Sequence, residues 1–149
     1  MSLTDSRLSI CFSPSVQNLA EIANWIQEER GGAPLNQISN WKAVESSFKR
    51  QELVVAFIEN NPVGFFALLK GGDSVLIMVA ETRYNYRRCG IGRKILDAVV
   101  ASLKDEPVHQ LELMCEPRSS EIVWRKMGFN VVPASELYSN SSIMLQLGI

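Results

Sequence analysis

Arg87-Arg88-Cys89-Gly90-Ile91-Gly92 joins a β-rich run, Val75 to Ala80, to a helical pattern, Gly92 to Asp105. Glycine is needed where backbone must come close to a bulky group. The first N–H groups of a helix have no acceptor within it, and the helix dipole adds partial positive charge there, so a glycine turn that opens a helix attracts anions. Arg87, Arg88, Arg93 and Lys94 add side-chain cations around that point. The ligand implied is a pyrophosphate. Two common forms of such a turn fail on the residues. A Walker loop needs GxxxxGK followed by Ser or Thr, but Lys94 is followed by Ile95. A dinucleotide fingerprint needs a third glycine, and Ile95 stands in its place. The plain alternative is a helix start whose glycines serve packing and whose arginines serve solubility.

The pattern around the turn is that of one mixed α/β domain spanning residues 1–149. Ile95, Leu96, Val99, Val100 and Leu103 share one face of the following helix, while Arg93, Lys94, Asp97 and Lys104 stay wet. Upstream, Leu8 to Phe12 reads as a strand, and Ser13-Pro14 as a helix start with Ser at the cap and Pro first. Val16, Leu19, Ala20, Ala23 and Ile26 keep helical spacing until Gly31-Gly32-Ala33-Pro34, and Trp41, Val44 and Phe48 mark a second helix. Leu53 to Ile58 and Val63 to Leu69 form a hairpin around Asn60-Asn61-Pro62, and Gly71-Gly72-Asp73 turns into the Val75 strand. Downstream come a strand at Gln110 to Met114, a short helix at Ser119 to Met127 closed by Gly128, and strands at Phe129 to Val132 and Ser142 to Leu147. The order is β-α-α-β-β-β-α-β-α-β-β. Met1-Ser2-Leu3 reads as a remnant of cloning.

Bulk properties narrow the classes. A chain of 149 residues, 46% hydrophobic and 21% charged, buries a core without staples and reads as a folded soluble domain. A net charge of −1 argues against general nucleic-acid binding. Cys11, Cys89 and Cys115 are odd in number and form no CxxC pair, so no disulfide framework is expected. The lone His109 is too few for an imidazole zinc site. No membrane-spanning run or signal peptide is visible. The expected home is the cytoplasm, with no metal, nucleic-acid or membrane partner.

With Arg87, Gly90 and Gly92 set between a strand and a helix, the sequence resembles the GCN5-related N-acetyltransferase (GNAT) family. That family's main signature is Arg or Gln, two residues, Gly, one residue, then Gly or Ala. Its second signature, a Leu-Glu-Val strand followed by a short helix ending Tyr-x-x-x-Gly-Phe, is matched by Leu111-Glu112-Leu113 and Gly128-Phe129 at the usual spacing. The resemblance runs from Leu8 to Leu147. It implies a central, mostly antiparallel sheet splayed at the cofactor site and flanked by about four helices. It also implies acetyl-CoA as co-substrate and direct transfer of its acetyl group to a primary amine of a small molecule or peptide. The alternative is a non-catalytic acyl-CoA-binding module or sensor that retains the fold. Either would be a monomer or a homodimer.

The resemblance assigns Arg87, Arg88, Cys89, Gly90, Ile91, Gly92 and Arg93 to the pyrophosphate turn. It puts Thr82, Arg83 and Tyr84 where backbone amides bind the pantetheine arm and thioester oxygen, a segment that is often Val-x-Pro in the family. Trp124 would pack against the pantetheine arm. Glu112 falls where some members keep a glutamate that deprotonates the amine; strand alternation turns it away from Leu111 and Leu113, and the resemblance implies that this direction is the cleft. Its plainer reading is a surface or paired structural glutamate. Glu81 is a second candidate base, more simply a solvated strand end beside Arg83. Two positions depart from the family: Pro117 replaces a cofactor-binding Asn, and Trp124 replaces the Tyr that often protonates the leaving thiolate. Indole has no acidic proton to give. Tyr84 and Tyr86 are the hydroxyls nearest the turn in sequence. Trp25, Trp41 and Phe48 read as core bordering the acceptor side, and residues 31–36 as a loop for substrate contacts.

Overall fold

A computed structural model gives the fold and describes residues 7–115, 118–133 and 143–149. The expectations for Met1-Ser2-Leu3, Pro117 and Ser142 lie outside those residues. β1 (Leu8–Cys11) leads to α1 (Val16–Glu29) and α2 (Trp41–Lys49), then to β2 (Leu53–Ile58), β3 (Asn61–Gly71) and β4 (Ser74–Thr82). α3 (Ile91–Ser102), β5 (Gln110–Cys115), α4 (Glu121–Lys126), β6 (Asn130–Val131) and β7 (Ile143–Gly148) follow. This is the order expected from the pattern.

Local chemistry moves some boundaries. Ser15, not Ser13, caps α1: its Oγ accepts from the Asn18 N–H at 3.0 Å, and Asn18 Oδ1 accepts from the Ser15 N–H at 2.9 Å. That reciprocal box satisfies two otherwise unpaired donors, which a Ser13 cap followed by proline would not. The hairpin turns on Glu59 and Asn60, both at positive φ (50° and 71°), with Ile58 opposite Asn61. Both central residues in the left-handed region suit the twist of a two-residue hairpin. Pro62 then lies inside β3, tolerated because it sits beside a bulge.

The sheet has seven strands in the order β1-β2-β3-β4-β5-β7-β6. Among the described residues, only β4 and β5 are parallel neighbours. One face is covered by α3, with Trp124 and Met127 at the end holding α4; the other is covered by α1 and α2 around buried Trp25, Trp41 and Phe65. Just before β2 the Glu52 carbonyl accepts from the Leu68 N–H at 3.1 Å, and the buried Ser47 of α2 adds to it: its Oγ accepts from the same N–H at 3.0 Å and donates to the Leu68 carbonyl at 3.2 Å.

Two irregularities shape the middle of the sheet. In β4, Val79 faces Ala67 and Ile77 faces Leu68, which leaves Met78 as a bulge. Val75 and Ile77 therefore pack toward α3, Val79 toward α1 and α2, and Ala80 toward α3 again. Pairing of β4 with β5 ends at Ile77 and Leu113, although β4 runs on to Thr82 and β5 to Cys115. A bulge bends its strand, and here it coincides with the point where the two strands part.

Gly64 lies under this arrangement. A Cβ there would stand 2.7 Å from Ile91 Cγ2 and 3.2 Å from the Glu81 carbonyl oxygen. The missing side chain lets the first turn of α3 rest directly on β3. Gly64→Val is expected to destabilise the fold by about 1–3 kcal/mol, the range for overpacking. The check is urea unfolding, with a lower midpoint at unchanged slope; a midpoint equal to the parent's would show that Ile91 moves aside freely.

Candidate active site

The turn between β4 and α3 is built from alternating backbone conformations. Arg87 is extended (φ −67°, ψ 152°), while Arg88 and Gly90 are left-handed (φ 63° and 78°). Gly90 is the cap of α3 and makes no side-chain cap bond. Lys94 donates to the Gly90 carbonyl at 3.1 Å, so the N–H groups of Ile91, Gly92 and Arg93 precede the first full helical bond. Ile91, 1% exposed, anchors the turn in the core. A Cβ on Gly90 or Gly92 would meet nothing within 4 Å. These glycines therefore do not serve packing. They leave open space in front of the amides, and Gly90 also carries a positive φ that side chains disfavour.

A cleft of about 670 Å³ opens in front of this turn. One wall is Ala80, Glu81 and Thr82 of β4; Tyr86, Arg87, Arg88 and residues 90–93 form the turn side; Ser120, Val123, Trp124, Lys126 and Met127 form the far wall, with Phe66 below. Trp124 tilts against Phe66 at 5.7 Å and meets Phe129 edge-on at 5.4 Å. Of the residues assigned to the cofactor from the sequence, Thr82, Arg87, Arg88, Gly90, Ile91, Gly92, Arg93 and Trp124 line this cleft; Arg83, Tyr84 and Cys89 do not. Tyr84 is 70% exposed, its ring 5.4 Å from the Arg87 guanidinium, and Cys89 is exposed. Phe66, Ala80, Ser120, Val123, Lys126 and Met127 were not anticipated. Ser120 is one helical turn before Trp124, so the spacing could have signalled it. Phe66 arrives from a distant strand and carries no local signal.

The two candidate bases stand differently. Glu81 lines the cleft, but its Oε2 accepts from Arg30 Nη2 at 3.0 Å, just beyond the end of α1. Glu112 is half-buried in β5, opposite Leu76 of β4 and Gln146 of β7. Leu111, Leu113 and Cys115 face the α3 side, so Glu112 faces the α1 and α2 side. It is not among the cleft-lining residues. The structure thus puts the anion turn and Glu112 on opposite faces of the sheet, on either side of the β4–β5 pair. His109 is at the surface, its backbone tied to Asp73 and Ile149. Cys115 is buried with its Sγ 3.0 Å from Ser120 Oγ. Among the described residues, no group of three or more His, Cys, Asp and Glu side chains could hold a metal ion, and no helix is long and apolar enough to cross a membrane.

The model of the acetyltransferase (GNAT) domain matches residues 23–146. No curated protein matches the sequence significantly. Among solved structures, the PaiA N-acetyltransferase from Thermoplasma acidophilum in complex with coenzyme A is similar over 95% of this chain and 99% of that one, with a TM-score of 0.75 at 15% identity. Ard1 from Thermoplasma volcanium is similar over 96% and 98%, with a TM-score of 0.74 at 16% identity. The ribosomal-protein-S18-alanine N-acetyltransferase from Escherichia coli is similar over 95% and 94%, with a TM-score of 0.71 at 18% identity. At these identities the likeness shows the fold alone. The family model covers most of the chain, the sheet parts at the expected place, and the glycine turn faces an open cleft: this protein belongs to the GNAT acetyltransferase family.

Proposed function

We propose that this protein is an N-acetyltransferase that moves an acetyl group from acetyl-CoA to a primary amine of a small molecule or peptide by direct transfer. The observation that carries the reading is the cationic glycine turn opening on a cleft that reaches the end of β4. The coenzyme A complex of the similar PaiA structure supports the choice of cofactor. When bound, the cofactor supplies an acyl thioester. The N–H groups of Ile91, Gly92 and Arg93, with Arg87, Arg88 and Arg93 side chains, hold its pyrophosphate. Thr82 offers backbone for the pantetheine arm; the Arg83 and Tyr84 N–H groups, held by the Val63 carbonyl and by Glu29 Oε2 at 2.8 Å each, would have to be released to join it. Such chemistry depends mainly on alignment and on donors aimed at the developing oxyanion.

Glu112 takes the proton of the incoming amine, directly or through water, from the α1 and α2 side of the sheet. Glu81 is the second candidate, and a role as base would require it to release Arg30. Residues 31–36, next to Arg30, contribute to acceptor binding. The protein acts in the cytoplasm as a monomer or homodimer. Incubation with acetyl-CoA and a panel of polyamines, amino acids, aminoglycosides and peptides, followed by release of free thiol, tests the activity. Tight coenzyme binding with no transfer to any amine would instead favour an acyl-CoA-binding module.

Three substitutions test the parts separately. Gly90→Glu puts bulk and negative charge in the open space before the amides, and coenzyme binding should weaken by several kcal/mol, about the scale of a close like-charge contact. Unchanged binding by calorimetry would remove the turn from the cofactor site. Glu112→Gln should lower turnover by about 10²-fold. The deficit should shrink as pH rises toward the amine's own pKa, about 10.4 for a lysine-like amine, because free amine then needs no base. A deficit equal at every pH would mean that Glu112 only positions the substrate.

Trp124→Tyr restores a hydroxyl to the cleft wall. A cysteine-like thiol has a pKa near about 8.5, so its thiolate leaves tolerably at neutral pH without a dedicated acid. Turnover should stay equal or rise by up to about tenfold, a small part of the general-acid range. Abolition of a clear parental activity would show that the indole shapes the site in a way that packing on Phe66 and Phe129 does not explain.

A further inference from the structure

We propose that Glu29, the last residue of α1, is a positioning residue for the cofactor turn; this rests on the acetyl-CoA reading above. Its Oε2 accepts a hydrogen bond from the Tyr84 N–H at 2.8 Å, and its Oε1 lies 3.8 Å from Arg87 Nη2. Arg87 in turn donates from Nε to the Thr82 carbonyl at 3.1 Å and lies over the Tyr84 ring. The next residue, Arg30, holds Glu81 at 3.0 Å. Two adjacent residues at the end of one helix therefore grip the chain on both sides of Thr82.

The grip falls where the sheet gives out. The Arg83 N–H still reaches the Val63 carbonyl at 2.8 Å, closing the ladder with β3. Beyond it, the backbone N–H groups of Tyr86 and Arg87 donate to carbonyls of the same segment, those of Arg83 and Tyr84. Glu29 supplies a contact from outside. The carboxylate thus accepts one charge-assisted hydrogen bond, from the Tyr84 N–H, and pairs more loosely with the Arg87 guanidinium at 3.8 Å. It sets the backbone of residues 82–87 before the cofactor arrives, which lowers the ordering that binding must impose. The same negative charge opposes an anionic ligand at Arg87. Positioning and charge thus act with opposite sign, and separate substitutions resolve them.

The ligand for the test is coenzyme A, titrated calorimetrically into the whole chain. Glu29→Gln keeps an acceptor for the Tyr84 N–H and drops the charge, so its Kd should equal the parent's or be up to about threefold tighter. Glu29→Ala drops both, and its Kd should be about fivefold higher than that of Glu29→Gln, the scale of one hydrogen bond. Tyr84→Pro removes the N–H that Glu29 satisfies. Arg83 (φ −57°, ψ 136°) already has the conformation that precedes proline, and Tyr84 opens the short 3₁₀ turn Tyr84–Tyr86, where proline fits. In a Tyr84→Pro background, the Kd of Glu29→Ala should lie within about twofold of that of Glu29→Gln. In the ligand-free protein, exchange of the Tyr84 amide hydrogen should speed up in Glu29→Ala and not in Glu29→Gln. Binding by Glu29→Ala as tight as that of Glu29→Gln, or an equal gap between the two in the Tyr84→Pro background, overturns the inference alone. A parent that does not bind coenzyme A overturns the cofactor reading and the inference with it.

Discussion

The contact between β4 and β5 is the constraint on which the site depends. These two strands are parallel neighbours, yet they pair only from Ser74 and Gln110 to Ile77 and Leu113. Met78 bulges immediately after the last pair. A one-residue shift in a strand exchanges its faces, so Val79 and Glu81 turn toward α1 and α2 while Ala80 remains against α3. Without the shift, Val79 would follow Ile77 toward α3, and Glu81 would lose its approach to Arg30. The bulge thus links three things: the parting of the strands, the β4 wall of the cleft, and the attachment of that wall to the end of α1.

Much of this was legible in the residues, and what was not has a common cause. Periodicity placed α3 because Ile95, Leu96 and Val99 recur on one face, and those residues are buried against the sheet. Leu53 to Ile58 reads as a strand from composition, and β2 has those bounds. The glycine turn was recognisable because its requirement is local: a positive φ at Gly90 and open space before its amides. The Met78 bulge, the Phe66 floor and the Glu29 contact depend on pairings between segments far apart in the chain. Nothing in Glu28-Glu29-Arg30 distinguishes it from a solvated helix end. The N-cap error is of another kind, since Ser13-Pro14 and Ser15 both carry valid start signals and only the Asn18 side chain decides between them.

Charge at the turn is arranged with some opposition built in. Arg87, Arg88 and Arg93 line the cleft, but Arg87 is shared with Glu29, and Arg93 lies 3.3 Å from Asp97 one helical turn away. Both pairs are partly exposed, so solvent screens them and they contribute little to folding. They do not remove the positive potential that the helix terminus provides.

Trp124, at the position where the resemblance implies a tyrosine, is central to how α4 is held. α4 has six residues, too few to be stable as an isolated helix. Its Glu121–Arg125 pair is a surface contact, and Ile122 and Val123 are exposed. What fixes α4 to the sheet is Trp124, wedged between Phe66 of β3 and Phe129 just beyond the helix, together with Met127. The larger ring system offers more contact to both aromatic neighbours than a phenol would. The same side chain lines the cleft, so packing of the wall and chemistry at the wall compete for one position. In the proposed transfer a thiolate leaving group would relax that competition, because protonation can follow departure. Alignment cannot be deferred in this way, and an indole that immobilises the wall serves alignment even though it donates no acidic proton.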